Sequence, residues 1–168
     1  KPYRLKFNEK IRFFGEHKDK SWGLLANYSD KSMIRNDLAL TMGKRSNLDW
    51  TPGGHFVELI LNGQYDGTYM LCEKIKISSD RVNIKEMKSK DISGDAVTGG
   101  YLLEFDSNYD EVNKFRSDIL DLPVMISEPD EDVLVQEQFD YIKNYINETE
   151  AVICGGQPYD SYIDIDYS

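Results

Sequence analysis

The sequence predicts an α+β protein, a mainly antiparallel sheet with flanking helices, on three observations. Tyr3, Leu5 and Phe7 alternate with Arg4, Lys6 and Asn8, the period of a strand with one buried face. Asn62-Gly63 separates two apolar runs, and both residues tolerate the positive φ that a two-residue hairpin turn requires. Apolar residues also recur at helical spacing in two places, at Ile34, Leu38 and Met42 and again at Val135, Phe139, Ile142 and Ile146.

The elements follow in order. After the first strand, GEHKDK at 15–20 is a charged loop, and Trp22, Leu24 and Leu25 open a second buried segment. Ser29 or Asp30 is placed to cap the next helix by accepting from its free amides, with Ile34, Leu38 and Met42 facing inward and Gly43 near the end. Thr51-Pro52-Gly53-Gly54 is a turn cluster leading into the hairpin. Pairing Leu61 with Gln64 puts Phe56, Glu58, Ile60, Tyr65, Gly67, Tyr69, Leu71 and Glu73 on one face. Val57, Leu59, Leu61, Met70, Cys72 and Lys74 then take the other, and since both faces are apolar the ribbon is expected to be covered on both sides. Residues 85–98 read as a polar loop before the strand GGYLLEF, with Tyr101, Leu103 and Phe105 sharing a face. Residues 107–122 show no clean period. Ser127 with Pro129 predicts a helix start, since proline suits the first helical position and Asp130, Glu131 and Asp132 complement its dipole.

With 168 residues, the length matches one compact domain and argues against a second independent core. The chain opens at Lys1-Pro2 without Met and stops at Ser168, which reads as a piece of a longer protein. No apolar run approaches the ~20 residues that cross a bilayer. The net charge of −10 is unevenly spread, because residues 106–168 hold 16 acidic against 3 basic side chains while the remainder is mildly basic. Such an acidic field disfavours nonspecific nucleic-acid binding, and the basic front suits a phosphorylated ligand.

Several chemistries lack a motif. Neither GxGxxG nor GxxxxGK[ST] occurs, nor a GxSxG elbow. His17 and His55 have no second ligand at zinc spacing, and Cys72 and Cys154 form neither a zinc pair nor a disulfide framework. Cys72 reads as a small buried hydrophobe. The alternating Asp160, Asp164 and Asp166 read as the start of a further helix in preference to a metal site.

Beyond these readings, YRLKF at 3–7, LLANYSDKSMIRN at 24–36, the Asn62-Gly63 hairpin, EKIKI at 73–77, RVNI at 81–84 and GGYLLEFD at 99–106 resemble, in the same order, the spore-coat protein H (CotH) kinase-like family. The resemblance implies the amino-terminal lobe of an atypical protein kinase at 1–106, followed by an acidic helical segment at 107–168 leading to a later lobe. It implies transfer of the ATP γ-phosphate to a protein hydroxyl with magnesium, in an extracellular or cell-surface setting. Lys6 is then the phosphate-binding candidate, with Arg4 second and Lys74 and Lys76 as competitors. The predicted helix has no glutamate to orient such a lysine, so Asp37, Glu58 or Glu73 takes that part, with Glu73 favoured and Arg35 the expected partner of the buried acid. Backbone groups at Leu103, Glu104 and Phe105 are placed to meet the adenine edge. The family's catalytic and magnesium-binding aspartates belong to a WDFD-like stretch that this chain does not contain, so they are expected beyond residue 168 and this piece is expected to be inactive alone. The other reading is a noncatalytic surface or spore-coat assembly module, suited by tyrosines such as Tyr28, Tyr109, Tyr159 and Tyr162; a carbohydrate-binding domain ranks last.

Overall fold

The computed structural model describes residues 1–155. They divide into two compact units, Lys1–Asn83 and a second beginning at Ile84. Each has its own buried apolar cluster, so the single core expected from length is replaced by two. The division at 83/84 also assigns the GGYLLEF strand to the second unit.

The first unit is a four-stranded antiparallel sheet. Its strands are β1 (Tyr3–Ile11), β2 (Asp19–Leu25), β3 (Gly54–Leu61) and β4 (Gln64–Glu73), in the order β1-β2-β4-β3. Cross-strand partners share a face. The rows Tyr3–Leu24–Leu71 and Leu5–Trp22–Glu73 therefore point the same way, and Val57 joins them opposite Tyr69. Trp22, Leu24, Tyr69 and Leu71 are buried there, with Phe7, Phe13, Val57 and Leu59 packed around them. Burying each large apolar side chain contributes about 1.5–3 kcal/mol.

The hairpin turns at Asn62 (φ 51°) and Gly63 (φ 80°), and Leu61 pairs with Gln64 as the dipeptide predicts. Its face assignment does not hold beyond Tyr65. Ile60 pairs with Tyr65 but Leu59 pairs with Gly67, so Asp66 is an extra residue in β4, a bulge at Gly67 with φ 125°. One extra residue exchanges the faces of everything after it. Tyr69, Leu71 and Glu73 consequently side with Val57 and Leu59, while Met70 sides with Phe56 and Thr68 with Glu58. The second face is only partly covered. Met70 is fully buried, yet Phe56 and Ile60 remain exposed.

Helix α1 (Arg35–Arg45) starts later than its apolar pattern, and Asp30 caps it by accepting from the Arg35 amide at 2.9 Å. The predicted inward stripe is reversed: Ile34, Leu38 and Met42 are all exposed, and the helix has no buried residue. The side next to the sheet carries Leu40 and Gly43 instead. A Cβ at Gly54 would lie 2.7 Å from Leu40, and one at Gly43 would lie 2.7 Å from the Thr51 hydroxyl, so both glycines are there for close approach. Gly43 lies inside the last turn and does not end the helix; Ser46 follows as the cap.

The second unit contains β5 (Leu102–Glu104), β6 (Lys114–Arg116) and β7 (Pro123–Glu128), antiparallel in the order β5-β7-β6, with helix α2 (Gln136–Gly155). Pro129 does not begin the helix. Residues 123–128 form the central strand, a turn at Asp130 follows, whose carbonyl accepts from Val133 and Leu134, and α2 starts at Gln136. Its stripe does face inward: Ile142 is buried with Phe115, Val124 and Ile126, and Phe139 and Ile146 pack beside them. Tyr101 and Leu103 pack on the same cluster, whereas Phe105 lies past β5 and is exposed.

Candidate functional site

Glu73 ends β4 on the core face, where its carboxylate is 1 % exposed. One oxygen, Oε2, accepts from the Gly53 amide at 2.9 Å, and the Glu73 amide donates to the Gly53 carbonyl at 3.0 Å, which fixes the side chain against the turn before β3. The other, Oε1, faces Arg81 Nη2 at 3.8 Å and His17 Nδ1 at 3.9 Å. Arg81 is equally buried. Its guanidinium lies 5.7 Å from the Trp22 ring centroid and donates to the Lys74 carbonyl. It also stands 4.0 Å from Asp19 Oδ2. The same Asp19 oxygen receives the Lys76 ammonium at 2.5 Å.

Asp19 is shaped by local sequence. Its Oδ1 accepts from the Ser21 amide at 2.7 Å, two residues on, and its carbonyl accepts from the Trp22 indole at 3.1 Å. Burial raises its proton affinity, but the hydrogen bonds from Lys76 and Ser21 and the charge of Arg81 outweigh it, holding the carboxyl below its ordinary 3.8. Beside it, Glu16 Oε1 meets His55 Nε2 at 2.9 Å and Lys44 at 3.2 Å. Burial again opposes the charge, and the contacts with His55 and Lys44 win, keeping Glu16 below 4.5. A Cβ on Gly53 would lie 2.1 Å from the Glu16 carboxyl carbon, so only glycine lets Glu16 and Glu73 flank one residue. Both histidines of the chain thus face glutamates.

The predicted site residues are distributed as follows. Glu73 is the buried acid of the cluster. Lys74 contributes its carbonyl to Arg81, and its own side chain is exposed. Lys6 pairs in register with Ser21, on the face opposite Leu5, Trp22 and Glu73; Arg4 lies on that opposite face too. The expected meeting of Lys6 with Glu73 is therefore not made, because the sheet separates them. Lys6 shares its face with Glu58, but Glu58 pairs with Thr68, six residues along β4 from the Lys6 row, roughly 20 Å at about 3.3 Å per residue. Arg35 is exposed and pairs with Asp30 at 3.7 Å, so the arginine beside Glu73 is Arg81 and not Arg35. Glu104 is exposed in the second unit and accepts from the Ser127 hydroxyl at 3.4 Å. Cys72 is half-buried, donates to the Gly23 carbonyl at 3.7 Å and has its proton affinity raised by burial. Asp160, Asp164, Asp166, Tyr159 and Tyr162 lie outside the described residues.

Sequence reasoning missed Asp19 and Arg81. An Asp two residues before a Ser, preceding an apolar run, is a local turn signal that marks Asp19. Arg81 carries no such mark, because its partners are 8 and 62 residues away in sequence.

These observations define an α+β protein whose first sheet ends in a buried, ion-paired cluster that holds the partly exposed ammonium of Lys76 on Asp19 and, beside it, that of Lys44 on Glu16. The family model described as CotH kinase protein matches residues 1–167, and the chain belongs to that family. No curated protein and no solved structure matches it. Among the described residues no helix is long and apolar enough to cross a membrane.

Proposed function

We propose that this chain is part of a CotH-family phosphotransferase that moves the γ-phosphate of ATP to a hydroxyl of a protein substrate at the cell surface or outside the cell. Phosphoryl transfer asks the protein mainly for fixed cations and position. The observation that carries the reading is Lys76: its side chain is 40 % exposed while its ammonium is held at 2.5 Å by a buried aspartate. An ammonium fixed on one side and open on the other is suited to a phosphate oxygen, and it takes the part first expected of Lys6. Glu73 supports that arrangement through Arg81 and Asp19. Among the described residues no group of three or more His, Cys, Asp or Glu side chains is placed to hold a metal ion. A magnesium ion, which the family resemblance implies, would take its protein ligands from the aspartates expected beyond residue 168, with the ATP phosphates completing its shell.

Calorimetry with ATP on the full-length protein tests the proposal. Lys76→Ala is expected to weaken nucleotide binding at least tenfold, about 1.4 kcal/mol, while Lys6→Ala leaves it unchanged. Equal affinity for Lys76→Ala and the parent would remove Lys76 from the site.

A noncatalytic surface or coat-assembly role is favoured by a separate observation, the exposed Ile34, Leu38 and Met42 on α1 and the 93 % exposed Tyr28. Loss of partner capture on Leu38→Asp, with nucleotide affinity absent from the parent, would select this reading.

A further inference from the structure

Two charged atoms inside the first unit have no hydrogen-bond partner among the described groups: Glu73 Oε1 and Arg81 Nη2. Both side chains are 1 % exposed, and the two atoms face each other at 3.8 Å. That distance is beyond a direct hydrogen bond and within the span of one small bridging group. A buried carboxylate oxygen and a buried guanidinium nitrogen are not left unsatisfied in a stable fold. A third group faces the same oxygen, His17 Nδ1 at 3.9 Å, on a side chain that is 53 % exposed.

We propose that Glu73, Arg81 and His17 form a binding site for one ordered water molecule, with His17 as its door to solvent. The chemistry selects the occupant. A cation is repelled by the guanidinium, and an anion by the carboxylate. The occupant must be neutral, must accept from Arg81 and must donate to Glu73. Water does both and keeps one more hydrogen to offer His17 Nδ1, which makes three hydrogen bonds, the usual number for a buried water. The guanidinium is then satisfied without leaving the Trp22 ring, and Arg81 serves Glu73 and Asp19 together. The site stands independently of the nucleotide reading.

A crystal structure of the chain at a resolution that shows ordered solvent is expected to hold a density peak within hydrogen-bond distance of Glu73 Oε1 and Arg81 Nη2. A direct ion pair between those atoms, or no peak, overturns the proposal. Oxygen-17 magnetic relaxation dispersion gives the solution test. His17→Ala, a half-exposed position, is expected to keep the fold and to remove one long-lived water from the dispersion amplitude. An amplitude identical to that of the parent in a folded His17→Ala variant rules the site out.

Discussion

Both helices carry apolar residues at helical spacing, and the structure treats them in opposite ways. On α2 the stripe is the core of the second unit, with Ile142 buried among Phe115, Val124 and Ile126. On α1 Ile34, Leu38 and Met42 face solvent, and the helix is held by Leu40 over Gly54 and by the glycine contact at Gly43. The two units differ in the same sense inside. Gln138 in the second unit is fully buried, neutral and satisfied: Oε1 accepts from Val135, and Nε2 donates to the Lys88 and Asp91 carbonyls. Glu73 and Arg81 in the first are as buried, charged and incompletely satisfied. A neutral side chain with every partner present is a fastening. A charged pair with open valences, connected through Asp19 to an accessible lysine, is an arrangement suited to binding.

The contrast can be broken first at the buried charges. Arg81→Met leaves Glu73 buried without its arginine, while Asp19 keeps Lys76, and is expected to cost about 3–5 kcal/mol in denaturant unfolding of the first unit. A loss below about 1 kcal/mol would mean that the cluster is already hydrated and only loosely coupled. The helices come next. Ile142→Ala removes packed core and is expected to cost about 2–5 kcal/mol, whereas Leu38→Ala should stay within about 0.5 kcal/mol. Comparable losses at both positions would show that the α1 stripe is covered in solution. Gln138→Ala strands an amide and two carbonyls and is expected to cost about 1–3 kcal/mol, less than Arg81→Met because no charge is left behind.

The smallest effect is one of pH. Asp19 and Glu16 both titrate lower in the folded protein than their ordinary 3.8 and 4.5. The stability they contribute is therefore present above those ordinary values and is lost as pH falls through the depressed ones, since the unfolded chain takes up the protons first. Asp19→Asn should flatten that acid limb in a series of unfolding curves below about pH 5. An unchanged slope in the variant would show that Asp19 is not held as described.

Much of the architecture was legible because its causes are local. The alternation at 3–7, the Asn62-Gly63 turn and the apolar spacing of α2 each depend on residues within a few positions of one another. The bulge at Asp66 was not legible. Nothing in QYDGTY requires an extra residue, and the strand takes it so that Tyr69 and Leu71 reach the side already occupied by Trp22 and Leu24. That one residue moved Glu73 to the opposite face from Glu58, while the β1-β2-β4 register puts Glu73 on the face opposite Lys6. The start of α2 was misplaced for a related reason: Pro129 suits a helix start locally, but Val124, Met125 and Ile126 are buried as the central strand between β5 and β6.

The sequence by itself determined the α+β class, the hairpin turn, the core stripe of α2 and, through motifs spread from Tyr3 to Asp106, membership of the CotH kinase family. Only the tertiary structure decided which face each strand residue takes, which side of α1 is left open, and that Arg81, not Arg35, stands beside Glu73. The physical reason is range. Turns and periodicity arise from neighbours along the chain, whereas a buried ion pair is made by residues brought together when a sheet closes, and its partners leave no spacing to read.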